Sequence, residues 1–157
     1  MIRTTFVLAV SLSLLSTAKA KIIGLGGLLP WQISSRAYGV SDDGTTVVGQ
    51  SGGSSGSEAF RWTQASGMVG LGSLSGNGSE ALGISADGST IVGRSLHSSF
   101  TIAFRWTASD GMVGIGDLPG GEFRSTARGV SDDGQFVVDD SRSGNGDEAF
   151  IGRPPLE

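Results

Sequence analysis

Glu58, Glu80, Glu122 and Glu148 are residues of the type that glycosidases use as an opposed acid/base pair. Gly49-Gln50-Ser51-Gly52-Gly53 fits the Gly-x-Ser-x-Gly pattern of a serine nucleophile. That pattern works only on a sharp strand-to-helix turn with an acid and a histidine nearby. Here it runs into Ser54-Ser55-Gly56, and the one histidine, His97, stands well downstream. Asp42-Asp43, Asp132-Asp133 and Asp139-Asp140 could cluster oxygen ligands for calcium. They lack EF-hand spacing, and aspartate is also a preferred turn residue because it caps backbone amides. Asn77-Gly78-Ser79 fits a glycosylation acceptor, placed in a turn-like stretch.

The elements that must position these groups recur at a fixed period. Gly39-Val40-Ser41-Asp42-Asp43-Gly44 returns as Gly83-Ile84-Ser85-Ala86-Asp87-Gly88 and as Gly129-Val130-Ser131-Asp132-Asp133-Gly134. Ala59-Phe60-Arg61-Trp62 returns as Ala103-Phe104-Arg105-Trp106, and then in decayed form as Ala149-Phe150-Ile151-Gly152. The spacings are 44 and 46 residues. A period of this size is the mark of a repeat architecture. Glu58 and Glu148 fall at equivalent places in the period, which favours a structural or solvent-facing role over catalysis. The second copy also breaks the serine pattern, reading Gly93-Arg94-Ser95-Leu96-His97.

Each unit reads as four short β-segments. The Asp-Gly pairs at 43–44, 87–88 and 133–134 predict tight hairpin turns with positive φ. Phe60 and Trp62 alternate with Ala59, Arg61 and Thr63, as a half-buried strand requires. Repeated aromatics at one strand position read as core anchors rather than a stacking platform for sugars. Polar stretches Gln50 to Ser57, Arg94 to Phe100 and Asp139 to Asp147 differ most between units and read as the contact loops. Units of ~40–45 residues with four strands have the size of propeller blades. The expected fold is therefore all-β: three propeller-like blades over about 25–70, 71–114 and 115–157, with a three-fold β-trefoil arrangement as the rival. Propellers usually have about 4 to 8 blades. Closure is then expected either from the Ile22-Ile23-Gly24 strand completing the last unit or from two chains pairing as a homodimer. A third reading makes the chain a piece of a longer array.

Residues 1–20 read as a secretory signal: Arg3, an apolar run from Phe6 to Leu15, and the small-x-small site Ala18-Lys19-Ala20. A run of about ten residues is too short to span ~30 Å of hydrocarbon, so no membrane span is expected after cleavage. With no cysteine, an exported domain must hold itself together by packing. The net charge is −4, and it becomes more acidic once Arg3 and Lys19 are removed, which gives no footprint for nucleic acid.

The units resemble the HAF repeats of bacterial secreted proteins. The likeness rests on Gly39-Val40-Ser41-x-Asp43-Gly44 with Val47-Val48-Gly49, on Ala59-Phe60-Arg61-Trp62, on Met68-Val69-Gly70-Leu71-Gly72 and on Gly116-Asp117-Leu118-Pro119-Gly120-Gly121. Glu58, Ile102 and Glu148 stand where that family has its name-giving histidine. The resemblance implies secretion and a repeat fold, with no established reaction. The expected function is a secreted or cell-surface, non-enzymatic scaffold or binding module for an extracellular glycan or protein. Trp31, Arg94 and His97 are the candidate ligand contacts; no catalytic residue, cofactor or metal is assigned. The alternatives are a carbohydrate-active hydrolase using paired carboxylates, or a repeat fragment without independent function.

Overall fold

The computed structural model describes residues 21–31, 34–53 and 56–153. The signal-peptide expectation for residues 1–20 lies outside them. The described chain is all-β and forms three antiparallel four-stranded units of the propeller-blade type. The first blade is β1 (Ser35–Val40), β2 (Thr46–Gly53), β3 (Gly56–Thr63) and β4 (Gly67–Gly70), paired in that order. The second is β5 (Ser79–Ile84), β6 (Ile91–Leu96), β7 (Thr101–Thr107) and β8 (Gly111–Gly116). The third has β9 (Gly120–Ser125) and β10 (Gly129–Val130) side by side on β11 (Val137–Ser143), followed by β12 (Gly146–Gly152). A parallel pairing of Thr101 with Arg124 ties β9 to β7.

The blades stack face to face, which explains why both sides of each middle strand are apolar. Val48 and Ala59 of the first blade pack with Ala81, Ile91 and Phe104 of the second. Val92 and Ala103 of the second then pack with Ala127 and Val137 of the third. The two neighbouring apolar residues of each middle strand thus serve different interfaces. The first (Ile91, Val137) faces the preceding blade, and the second (Val48, Val92) faces the following one. Phe104 is fully buried in the first of these cores and Trp106 packs against it, as expected for core anchors. Burying one such phenylalanine stabilises by about 1.5–3 kcal/mol.

The turns differ from the expected tight hairpins. Among the described residues positive φ is confined to glycine: Gly44, Gly88 and Gly134 lie at 69°, 71° and 71°, whereas their aspartates do not have positive φ. The amide of Gly44 donates to Ser41 O at 2.9 Å, closing a four-residue turn with glycine in last place. The aspartate instead works through its side chain. Ser41 Oγ donates to Asp43 Oδ1 at 2.6 Å, and the Thr45 amide donates to the same oxygen at 2.9 Å. Ser85–Asp87–Ser89 and Ser131–Asp133–Gln135 repeat this. Successive turns are also bonded to one another. Asp42 N donates to Ala86 O at 3.0 Å, and Ala86 N to Asp132 O at 3.2 Å.

Two further expectations are corrected. Ile22, Ile23 and Gly24 form no strand within this chain and do not complete the third blade; Ile22 is 99% exposed. Much of the expected contact loops is strand, since β2 runs to Gly53, β6 to Leu96 and β11 to Ser143. Arg94 therefore lies within β6 and not in a loop.

The third blade's first strand is split where the other two blades have a glycine opposite it. In the first two blades, glycine occupies the position where the first strand bulges toward the second. A Cβ on Gly49 would strike Arg36 O, and one on Gly93 would strike Glu80 O. Asp139 holds that position in the third blade, where the regular ladder to β11 breaks between Ser125 and Gly129 while Thr126 N still donates to Asp140 O at 3.1 Å and Arg128 N to Val138 O at 3.3 Å.

Candidate ligand-binding cleft

The ordinary chemistry of the carboxylates is taken up by the fold. Glu58 accepts the Gly72 amide at 3.1 Å, Glu80 pairs with Arg94 at 2.7 Å, and Glu148 accepts from Ser143 Oγ at 2.6 Å. Asp43, Asp87 and Asp133 are turn residues. The serine hydroxyl is the largest cause holding each of their pKa values low, followed by a backbone amide, and Asp87 is brought to about 2. Ser51, the centre of the serine pattern, is a buried strand residue whose Oγ accepts the Leu28 amide at 3.1 Å. Ser95 and Ser141 do the same for Leu74 and Leu118. Among the described residues, no group of three or more His, Asp and Glu is placed to hold a metal ion.

A polar chain crosses the first two blades. Gln50, with its amide turned to satisfy both sides, donates to Glu80 Oε1 at 2.8 Å and accepts from Arg36 Nη1 and Tyr38 Oη at 3.2 Å. Arg94 continues the chain through its Nε bond to Glu80 Oε2 at 2.8 Å. In the third blade Asp139 and Asp140 hold one guanidinium. Arg128 Nη1 donates to Asp139 Oδ2 at 2.7 Å and to Asp140 Oδ1 at 2.6 Å. Burial raises the Asp139 pKa, while the Arg128 hydrogen bond lowers that of Asp140.

The three candidate contacts join different groups. Arg94 is in the ion pair just described. Trp31 is 79% exposed on the turn that ends the N-terminal segment. His97 opens the hairpin between β6 and β7 and stacks on Phe100, with ring centroids 4.0 Å apart and planes at 11°. Phe123 on β9 meets Phe100 edge-on at 5.7 Å and 65°. The His97 amide donates to Phe100 O at 2.8 Å, closing the tip that sets the stack. Together with Glu122 and Arg124 these rings line an open cleft of about 280 Å³ between the second and third blades. The hairpin tip contributes His97 and Phe100, and β9 contributes Phe123 between a carboxylate and a guanidinium.

Phe123 and Arg124 escaped the sequence reading, which had Glu122 only as a candidate acid/base carboxylate and Phe100 only as the end of a contact loop, although a signal existed. The serine that donates to the preceding glycine carbonyl is Ser79 to Gly72 in the second blade and Ser125 to Gly116 in the third. The link is seven residues in one case and nine in the other. The longer link contains β9 and carries the three residues 122–124 to the rim of the cleft. A second groove, of about 550 Å³, lies near the Asp-Gly turns, with Arg61, Arg105, Thr90 and Asp133 on its walls. Arg105 Nε is buried there without a hydrogen-bond partner among the described residues.

Comparison with solved structures bears on the fold. The chain is similar to TolB from Acinetobacter baumannii, with a TM-score of 0.55 and 20% identity over 78% of this chain and 30% of that one. It is also similar to the structure described as a TolB from Agrobacterium tumefaciens, with a TM-score of 0.55 and 16% identity over 79% of this chain and 47% of that one. The chain thus spans 30% and 47% of the two solved chains it resembles. No family model matches the chain, and no curated protein matches it. At these identities the likeness establishes the blade architecture, in agreement with the expectation from the repeat. No helix among the described residues is long and apolar enough to cross a membrane.

Proposed function

We propose that this chain is a non-enzymatic binding module of the propeller type, and that it contacts a glycan through the cleft at His97, Phe100 and Phe123. The observation that carries the reading is the aromatic cluster itself. Three rings gather at a hairpin tip and a neighbouring link, outside both blade cores, beside Glu122 and Arg124. A sugar ring has an apolar face for aromatic stacking and an equatorial rim of hydroxyls. An exposed phenylalanine flanked by an acceptor and a donor matches both features. The rigid blades hold the cleft open, the usual division between scaffold and contact loop.

Export through residues 1–20 and kinship with the HAF-type extracellular repeats complete the proposal: the glycan is met outside the cytoplasm. The separate hydrogen-bonding roles of Glu58, Glu80 and Glu148 support binding without turnover. The test is a titration of the purified protein against a panel of soluble polysaccharides, followed by calorimetry on any that bind. Binding that Phe123→Ala weakens about tenfold or more, with no release of reducing ends, is the expected result. Sugar hydrolysis that Glu122→Gln abolishes would instead make the protein a hydrolase.

A further inference from the structure

Each internal blade boundary is built from the same four parts, and the first and third blades each present one half of that boundary with no partner among the described residues. At the two internal boundaries, the alanine amide of the third strand donates to a serine of the next blade: Ala59 N to Ser79 Oγ and Ala103 N to Ser125 Oγ, both at 2.9 Å. That serine also donates to a glycine carbonyl. Ser35 in the first blade is already set in this way, donating to Gly26 O at 2.6 Å. Its natural partner by repeat position is the amide of Ala149 in the third blade.

The strand edges match as well. β3 and β7 each carry a fourth strand on their outer edge, with Arg61 opposite Val69 and Arg105 opposite Val113. Among the described residues β12 pairs with β11 and carries no such strand. Lys21 to Gly26 corresponds in the repeat to Gly67 to Gly72 and is itself unpaired. Gly26 and Gly72 even share their left-handed backbone, at 80° and 74°. Placed on β12 in the register of the other blades, Ile23 falls opposite Ile151.

The outward face of the third blade is also more apolar than the buried faces it copies. Phe136 replaces the buried Thr46 and Thr90, and Ile151 replaces Arg61 and Arg105. Ile151 is 71% exposed beside Val138 on the neighbouring strand. The end unit of a soluble repeat array normally turns a polar face outward. This one has gained two large apolar side chains where water would select against them.

We infer that the third blade of one chain docks on the first blade of a second copy, and that two chains close a six-bladed ring. Residues 21–26 of each chain add to β12 of the other. The interface is head-to-tail, which forms a closed ring when the rotation per blade allows it. Six blades lie within the usual range of about 4 to 8, whereas three do not. Closure covers the free edge of β12 and the apolar face at once.

The test uses the absence of native cysteine. Opposed residues on antiparallel strands have Cα atoms about 4.5–5.5 Å apart, within disulfide range. Ile23→Cys and Ile151→Cys are made together in the full chain and oxidised. Both positions are exposed, so neither substitution removes a core contact. The expected result is a covalent two-chain species on a non-reducing gel, with unmodified protein of two-chain mass by light scattering. A tagged Ile23→Cys chain mixed with an untagged Ile151→Cys chain should give the tagged–untagged pair. A disulfide within one chain would overturn the inference in favour of self-closure, and a ladder of higher species in favour of an open filament. Monomeric protein with free thiols would overturn it outright.

Discussion

Ser79 Oγ stands between two blades, accepting the Ala59 amide at 2.9 Å and donating to Gly72 O at 2.5 Å. One hydroxyl therefore couples the third strand of one blade, the first strand of the next and the link between them. Ser79 is fully buried, so no water can replace it without rearrangement. Ser79→Ala strands the Ala59 amide in the core. The expected cost is about 1–3 kcal/mol, the penalty of an unsatisfied buried donor, read as a lower midpoint in urea unfolding.

Acid should loosen the turns. Asp43, Asp87 and Asp133 have folded-state pKa values below the ordinary one, chiefly because of the serine hydroxyl two residues earlier. A depressed carboxylate contributes stability that is fully present above its unfolded value, near 3.9, and is lost as pH falls through the folded value. For Asp87 that folded value is about 2. Thermal melts stepped from pH 5 to pH 2 (about the span of the two values) should show a falling midpoint below about pH 4. Asp87→Asn should flatten part of the slope. A midpoint that does not change over this range would show that the turns contribute nothing to it.

Gly93 sits where β5 bulges toward β6. An added Cβ would strike Glu80 O and come within 2.9 Å of the Phe104 ring, and neither backbone nor core ring can yield cheaply. Gly93→Ala should destabilise by about 1–3 kcal/mol or more, as overpacking does. Its spectral signature should be weakened pairing of β5, as in the third blade where Asp139 takes this place. Gly67→Ala is a poor control because its φ is 67°; Gly152→Ala, where an added Cβ meets nothing nearer than 3.7 Å and the other two blades carry tryptophan, is the one to use.

Binding and stability should separate at the aromatic residues. Phe123→Ala is expected to weaken glycan binding about tenfold or more, since truncated aromatic anchors cost 2 kcal/mol or above. Trp31 is exposed and lies outside the cleft, so Trp31→Ala should leave affinity unchanged and shift stability by less than about 0.5 kcal/mol. Paired calorimetry and melting curves on the two variants measure both. Loss of binding in Trp31→Ala would move the site to the N-terminal turn.

The repeat made the architecture legible. Ser-x-Asp-Gly located every turn between first and second strands, and Ala-Phe-Arg-Trp located the third strands, because both patterns recur in register. The joints between blades were less legible. Ser79 and Ser125 look like ordinary loop serines, and their bonds span 20 and 22 residues. The Asp-Gly turn and the aspartate's capping of a backbone amide were legible, but positive φ falls on the glycine alone and a dipeptide does not reveal that Ser41 will engage the aspartate. His97 was found because it is the one imidazole. Phe100 and Phe123 were not, because each departs from the repeat and only the fold brings them together.

Every blade carries both halves of its joints: a valine and an alanine amide on the side facing forward, a serine and a second β-branched residue facing back. A duplication that copies one whole unit therefore copies a finished junction with it, wherever it lands. Arrays of this kind can lengthen or shorten by recombination without any compensating change in their neighbours. Sequence drift is then constrained least in the links and hairpin tips, the segments from which the His97–Phe123 cleft is made.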